Sequence, residues 1–361
     1  MNILVTGANG FLGKNLCLSL GTHNVLKFER DTDMALLDEY CKIADFVFHL
    51  ACVIRPSEDA NLMKENVDFT AKLLGCLKKH ANKCPIAYPS STQAVLDNPY
   101  GRSKRDVENM LNKYSSETGA SVFIYRFPNI FGKWSRPNYN SAIATFCHNI
   151  ARGLPITVSN PNIELTLVYI DDVIDELLNV MNGSKSEPPT QDATLGTIVS
   201  LLYGFKKSRE DLAAPEVSDP FVKKLHATYL SYLPTNDFSY PLKMNVDARG
   251  SFTEILRTMH HGQFSVNVTK PGITKGNHWH NTKCEKFLTV YGEGIVNFRR
   301  IDSGKDEIIE YKVSAEKMEV VDVPPGYTHN IVNTGNTDLV MLMWCNEAFN
   351  PEKPDTTYLE V

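Results

Sequence analysis

Hydrophobic and polar positions change rhythm along this chain. Up to about residue 240, short apolar runs alternate with stretches in which apolar residues return every three or four positions. After Asn245 the runs stay short and are separated by Gly, Pro and Asp turns. The first rhythm predicts buried parallel strands alternating with amphipathic helices; the second predicts a sandwich or barrel. Expected strands of the first kind are Asn2 to Thr6, Val25 to Phe28, Asp45 to Leu50 and Pro85 to Ser91. Only one helix-like segment, Met34 to Ala44, separates the second from the third, so a strand of a full doubly wound half is missing there. Expected strands of the second kind include Phe264 to Thr269, Ile295 to Arg299, Glu319 to Val323 and Leu339 to Trp344. Ser184 to Thr190 reads as a surface loop, and the aromatic-rich segment Leu225 to Tyr240 as a connector. The domains expected are 1–244 and 245–361.

A length of 361 residues suits two domains, and 42% hydrophobic residues with mixed charge describes a globular protein. A net charge of −5 disfavours nonspecific binding to nucleic acid or to an acidic membrane surface. Met1 leads directly into a strand, and no apolar run has spanning length, so neither a signal segment nor a membrane span is expected. The eight cysteines are scattered without a Cys-x-x-Cys pair, which predicts free thiols in a cytoplasmic protein.

Three constellations carry chemistry. The first is Gly7-Ala8-Asn9-Gly10-Phe11-Leu12-Gly13, between the first strand and a helix with Leu12, Leu16 and Leu20 on one face. Glycines there allow a tight turn, close approach of a pyrophosphate and close helix–strand packing, while the helix N-terminus attracts the anion. At the end of the second strand stand Glu29 and Arg30. The acid suits the ribose hydroxyl of NAD, the arginine the 2′-phosphate of NADP, and the reading favours Arg30 and NADP.

The second constellation is Tyr100-Gly101-Arg102-Ser103-Lys104 after the strand-end cluster Ser90-Ser91-Thr92. One helical turn puts Tyr100 and Lys104 on the same face. The ammonium is expected to lower the phenol pKa, so that Tyr100 exchanges a proton with a carbonyl near neutral pH. Ser91 is assigned to polarise that carbonyl, with Thr92 the register alternative. The third is His278-Trp279-His280 with Glu285 at the head of the next apolar run and His329 downstream. Two imidazoles two apart on a strand project from one face, and with the carboxylate they make an N/O set suited to Zn, Mn, Fe or Ni. Lys286 and Tyr327 lie nearby as candidate acid/base groups. A solvated hairpin is the plain alternative for an isolated His-x-His pair, and a chance helical pair is the alternative for Tyr-x-x-x-Lys.

These motifs carry two resemblances. The Gly-x-x-Gly-x-x-Gly turn, His49-Leu50-Ala51, Asn66, Tyr100-x-x-x-Lys104, Arg126 to Gly132 and Val168 to Val173 together resemble the extended short-chain dehydrogenase/reductases. Gly272-x5-His278-x-His280-x4-Glu285-x6-Gly292 and Pro324-x-Gly326-x2-His329-x3-Asn333 are similar to the two cupin motifs, with Met318 where the second motif usually opens on glycine. The resemblance implies an α/β Rossmann-like domain followed by an all-β cupin jelly-roll barrel. It implies cofactor binding by the glycine turn, Leu50 and Ala51, and substrate contacts at Asn129 and Lys133. It also implies one divalent ion, zinc above others, held by His278, His280, Glu285 and His329.

Both halves together resemble the bifunctional UDP-sugar epimerase/reductases of capsule and O-antigen synthesis. That implies C3 epimerisation of a UDP-2-acetamido-2,6-dideoxy-4-hexulose by the cupin domain, then C4 reduction with NADPH to the L-talose product. A UDP-amino-sugar is thus the expected ligand and a homodimer the expected assembly. Thr92-Gln93 or Gln93-Ala94, where a 4,6-dehydratase carries Asp-Glu, argues against elimination chemistry. The alternatives are a reductase with a purely structural or dimerising cupin domain, and a nucleotide-sensing protein. Tyr100 and Lys104 weigh against the latter, since a sensor needs no proton donor.

Overall fold

Five parallel strands frame the N-terminal half: β1 (Asn2–Thr6), β2 (Asn24–Phe28), β3 (Phe46–His49), β4 (Ile86–Ser91) and β5 (Val122–Phe127). They run in the order β2-β1-β3-β4-β5, so β2 is an edge, as the missing strand of the sequence pattern requires. The structure is a computed structural model and describes residues 1–54, 63–258, 262–304 and 306–361. Helices α1 (Phe11–Ser19), α2 (Met34–Ile43), α3 (Lys64–Lys79) and α4 (Pro99–Thr118) make the crossovers. Alternation along β1 explains its unbroken apolar run. Leu4 packs with Leu73 and Leu111 from α3 and α4, whereas Ile3 and Val5 belong to the cluster of Leu16 from α1. A second sheet, β6 (Asn129–Phe131), β7 (Glu164–Tyr169) and β8 (Thr190–Thr194), accompanies α5 (Ala142–Ala151) and α6 (Ile170–Met181). Then follow α7 (Leu195–Glu210) and α8 (Pro220–Leu230).

The chain divides into two compact units, Met1–Tyr203 with Ser218–Pro234, and Gly204–Val217 with Thr235–Val361. The stretch from Leu225, expected as a connector, begins instead as the end of α8. Its Leu225 and Tyr229 are buried at helical spacing with Phe221, and Tyr232 donates to the Ser135 carbonyl at 2.5 Å. Those aromatics pack inside the first unit because they continue an amphipathic helix. Among the described residues no helix is long and apolar enough to cross a membrane, and all eight cysteines are free.

The second unit is antiparallel. Its strands are β9 (Met244–Asp247), β10 (Gly250–Arg257), β11 (Gln263–Thr269), β12 (Thr274–Trp279), β13 (Glu285–Tyr291), β14 (Glu293–Arg300), β15 (Ile309–Ser314), β16 (Val320–Val323), β17 (Tyr327–Asn333), β18 (Leu339–Cys345) and β19 (Thr357–Tyr358). They form two sheets, β16-β13-β18-β11-β10-β9 and β15-β14-β17-β12-β19, the jelly-roll barrel that the cupin motifs imply. Phe287, Val296, Phe298, Ile331 and Met341 fill it. Strand parity turns Leu288, Leu342 and Val266 the other way, in register with Val320 on one side and Thr253 and Met244 on the other.

Candidate functional site

The turn from β1 into α1 opens the first site. Gly7 has φ +70°, and a Cβ there would stand 2.9 Å from the Ala51 backbone. A Cβ on Gly13 would meet the Gly7 carbonyl oxygen at 2.2 Å. Close packing therefore demands glycine at both positions, and it leaves Asn9, Gly10, Phe11 and Leu12 on the wall of a cleft. The loop after β3 is held against this turn. The Thr6 hydroxyl accepts the Leu50 and Ala51 N–H groups, each at 3.1 Å, and lies 3.0 Å from His49 Nδ1. His49 Nε2 is 2.8 Å from Thr70 Oγ1, whose own proton goes to the Asn66 carbonyl, so His49 carries its proton on Nε2. Burial, then the Lys104 charge, pushes this imidazole down to about 3. Asn66 grips Val53, accepting from its N–H at 2.7 Å and donating to its carbonyl at 3.0 Å, and reaches Ser103 on α4 at 3.1 Å.

The start of α4 is fixed by Pro99 in its first turn and by Asn98, whose side chain accepts the Gly101 N–H at 2.7 Å. That cap sets Tyr100. Lys104 is buried one turn on, donating to the Pro89 carbonyl at 2.9 Å, with its ammonium 5.8 Å from the Tyr100 ring centre. Ser91 and Thr92 both share the cleft wall with Tyr100, and of the two it is Ser91 that lowers the Tyr100 phenol. One expectation is corrected here. Burial raises the Tyr100 pKa by more than the Lys104 charge lowers it, so the phenol is protonated at neutral pH. A protonated phenol is the state from which a proton is given. Behind these groups Arg126 clamps buried Glu108 at 2.6 and 3.0 Å and ties β5 to α4.

The cleft measures about 1620 Å³ and takes Leu50, Ser91, Thr92, Tyr100, Lys104 and Asn129 into its wall. Gly7, Gly13 and Ala51 stand behind that wall. Arg30 lies away from it, with an exposed side chain bonded to Glu65 at 2.5 Å, while the Glu29 carboxylate accepts the Asn9 N–H at 2.5 Å. Lys133 also lies off the wall, paired with Asp171 at 2.5 Å. Sequence reasoning gave no site role to Arg152 or Tyr232, which also line the cleft and join through an Arg152 Nη1 to Tyr232 carbonyl bond of 2.8 Å. The helical spacing of Tyr229 and Tyr232 was the available signal; Arg152 gave none.

The second site lies in the second unit. A bulge between Gly276 and His278, with Asn277 at φ +61°, kinks β12 just before its ligands. Donor atoms of His278, His280, Glu285 and His329 all lie within 4.8 Å of one another. Glu285 Oε2 is 3.5 Å from His280 Nε2 and 3.3 Å from His329 Nε2. Both nitrogens are buried without a hydrogen-bond partner. His280 Nδ1 stands 2.5 Å from the Asp355 carbonyl oxygen, which only accepts, so the proton is on Nδ1 and Nε2 turns a lone pair toward the carboxylate.

Burial, then repulsion from His329, pushes His278 down to about 4. Burial raises the Glu285 carboxyl, but His280, His329 and Lys283 outweigh it and hold the group well below its ordinary value. Convergent ring nitrogens without partners in a buried pocket suit a cation, and three imidazoles with one carboxylate fit a divalent ion such as zinc. Strand parity sends Lys286 away from this pocket, to an ion pair with Asp322. The lysine that reaches it is Lys283, 3.2 Å from Glu285 Oε1, which sequence reading passed over because it lies in the turn. Tyr327 is half-buried and shares the face of His329 on β17.

Comparison with known proteins places both units. The sequence model of the NAD dependent epimerase/dehydratase family matches residues 3–196, and that of the polysaccharide biosynthesis C-terminal domain matches residues 245–357. The UDP-2-acetamido-2,6-beta-L-arabino-hexul-4-ose reductase of Pseudomonas aeruginosa is 43% identical over 99% of this chain and 98% of its own. The crystal structure of the capsular polysaccharide assembling protein CapF from Staphylococcus aureus is 51% identical and superposes over 100% of both chains with a TM-score of 0.94. The UDP-glucose 4-epimerase of Thermotoga maritima, 20% identical, shares the fold over 64% of this chain and 98% of its own, with a TM-score of 0.51.

Proposed function

The chain belongs to the NAD dependent epimerase/dehydratase family, and from that premise we propose that it is a bifunctional UDP-sugar enzyme of capsular polysaccharide synthesis. Its second unit epimerises C3 of a UDP-2-acetamido-2,6-dideoxy-4-hexulose, and its first unit reduces the C4 ketone to UDP-2-acetamido-2,6-dideoxy-L-talose. One observation carries this reading: a single chain holds both a Ser91–Tyr100–Lys104 proton-donor set on a cleft wall and four convergent N/O donors in a separate barrel. A ketone needs the first for reduction. Its acidified neighbouring C–H needs the second, or something equivalent, for inversion.

In the cleft, the glycine turn, Leu50 and Ala51 hold the dinucleotide, and Asn129 contacts the nucleotide-sugar. Bound there, NADPH supplies the hydride. Tyr100, protonated by virtue of its burial, gives its proton to the C4 oxygen, and the Lys104 ammonium steadies the phenolate left behind. Ser91 orients the same oxygen. In the barrel, His278, His280, Glu285 and His329 would hold a divalent ion, which would supply positive charge beside the carbonyl oxygen. Lys283 adds a second cation beside that pocket. The preference for NADP rests on Arg30, which leaves Glu65 to meet a 2′-phosphate. A cytoplasmic homodimer is the expected assembly. The exposed apolar residues Met244, Val320 and Leu342 on the outer face of the six-stranded sheet support an isologous contact between copies.

The test is incubation with the UDP-4-hexulose and NADPH in deuterated water, followed by NMR of the product. Deuterium at C3 with an inverted C3 and a reduced C4 is expected. Reduction without C3 exchange would leave the barrel a structural domain.

A further inference from the structure

One segment reaches the chain around all three histidines of the candidate metal pocket and appears in none of the motifs. We propose that Asp355–Val361 is a strap that positions the metal ligands, with Asp355 its principal positioning residue. The residues from 281 to 284 form the turn between His280 and Glu285, two of the ligands. The Asp355 carboxylate gathers that turn. Oδ1 accepts the Asn281 N–H at 2.9 Å and its side-chain amide at 2.8 Å. Oδ2 accepts the Thr282 N–H at 2.7 Å, the Lys283 N–H at 2.9 Å and the Thr282 hydroxyl at 3.1 Å. Five donors on one carboxylate fix the path of the turn, and with it the separation of His280 from Glu285.

The same residue sets the tautomer. Its carbonyl oxygen takes the proton of His280 Nδ1 at 2.5 Å, which leaves Nε2 free as a lone-pair donor. The strap then continues as β19, pairing Thr357 with Trp279 and Tyr358 with His278, so it also lies along the strand of the first ligand. Beyond it the Leu359 carbonyl accepts the hydroxyl of Thr328, the neighbour of His329, and the Leu359 N–H donates to the Asn277 carbonyl at 3.0 Å, on the bulge. All three histidines are thereby fastened to one short stretch of backbone. A surface strand with only a stabilising role has no reason to converge on His278 of β12, on His280 just beyond it and on the neighbour of His329 in β17 together.

This inference rests on the metal-site reading, and the experiment separates the two. Metal-free full-length protein is titrated with Co²⁺ against a chelating dye, and the ligand-field band of the bound ion is recorded. Wild type is compared with Asp355→Ala, Asp355→Asn and Asp247→Ala. Asp247 pairs with Arg249 in the β9–β10 turn and serves as a control of equal charge in the same unit. Asp355→Ala is expected to lower Co²⁺ affinity by about 10- to 100-fold, the usual effect of losing an outer partner of a ligand, and to shift the band. Asp355→Asn, which puts an amide N–H₂ against N–H donors, is expected to move both in the same direction. Asp247→Ala should leave both within about twofold of wild type. The strap is overturned if Asp355→Ala binds like wild type with an unchanged band, or if Asp247→Ala weakens binding equally. If the alanine variant does not fold, Asp355→Asn is judged on the same terms. A wild type that binds no Co²⁺ overturns the metal site itself, and the strap with it.

Discussion

At the cleft of the first unit, Lys104 donates to the Pro89 carbonyl and Ser91 caps its own turn, so these groups have partners within the protein. In the second unit, His280 Nε2 and His329 Nε2 converge on one Glu285 oxygen, at 3.5 and 3.3 Å, with no other hydrogen-bond partner. The first arrangement is satisfied by the protein itself. The second leaves buried ring nitrogens without partners, which costs free energy. Removing a group from the first should therefore affect chemistry and spare folding, whereas the second, on the metal reading proposed above, depends on the ion that would complete it.

His278→Ala should give the largest effect. It removes one of four donors, so metal content should collapse and C3 exchange with solvent should cease, while a ketone supplied already epimerised is still reduced. Offering the two sugars separately checks this; a variant that handles both like wild type removes the barrel from the chemistry. Next comes Tyr100→Phe, which keeps the ring but deletes the donated proton. Turnover of NADPH should fall by roughly 10² or more, with C3 exchange unchanged.

A third test uses acid. His49 is held at about 3 in the folded protein against about 6.5 when unfolded, so the unfolded chain binds the extra proton first. The stability of the first unit that depends on neutral His49 is full above about pH 6.5 and is lost progressively toward pH 3. It amounts to roughly 3–5 kcal/mol by this linkage. Hydrogen exchange of the β1 and β3 amides across that range should show it, and His49→Asn should flatten the slope. The smallest effect is expected from Arg30→Ala. Its side chain is exposed, so NADPH should weaken by about tenfold, one ordinary charge-assisted contact, and NADH hardly at all. Equal weakening of both would assign the ribose to Glu29, which already sits on the Asn9 N–H.

Much of this was legible from residue order. Gly7 and Gly13, Tyr100 and Lys104, and the four donors of the barrel sit where strand, turn and helix spacing put them, because each motif is local. Long-range pairings were hidden. Nothing near Lys133 in sequence announces Asp171, and nothing near Glu285 announces Asp355. The sign of the Tyr100 shift depends on burial, which the Tyr-x-x-x-Lys spacing does not report. Parity along β13 did contain the news that Lys286 turns away from Glu285, since neighbours on a strand point to opposite faces. The aromatics after Leu225 were read for composition when their spacing from Phe221 already spelled a helix.

The order in which the two units use the chain matters for how the molecule is made. The first unit takes residues up to Tyr203, yields Gly204–Val217 to the second, and takes the chain back for Ser218–Pro234. Emerging from a ribosome, it therefore lacks the helix bearing Phe221, Leu225 and Tyr229 until residue 234 has been synthesised. The loaned piece then waits longer: Leu212 and Ala214 exchange backbone hydrogen bonds with Arg257, at 2.6 and 2.7 Å, which arrives some forty residues later. Cutting the gene once, at any position up to residue 234, leaves at least one half without a part of itself. A barrel expressed from residue 245 alone would begin life with Arg257 missing its partners, so dissection of this protein calls for point substitutions in the whole chain.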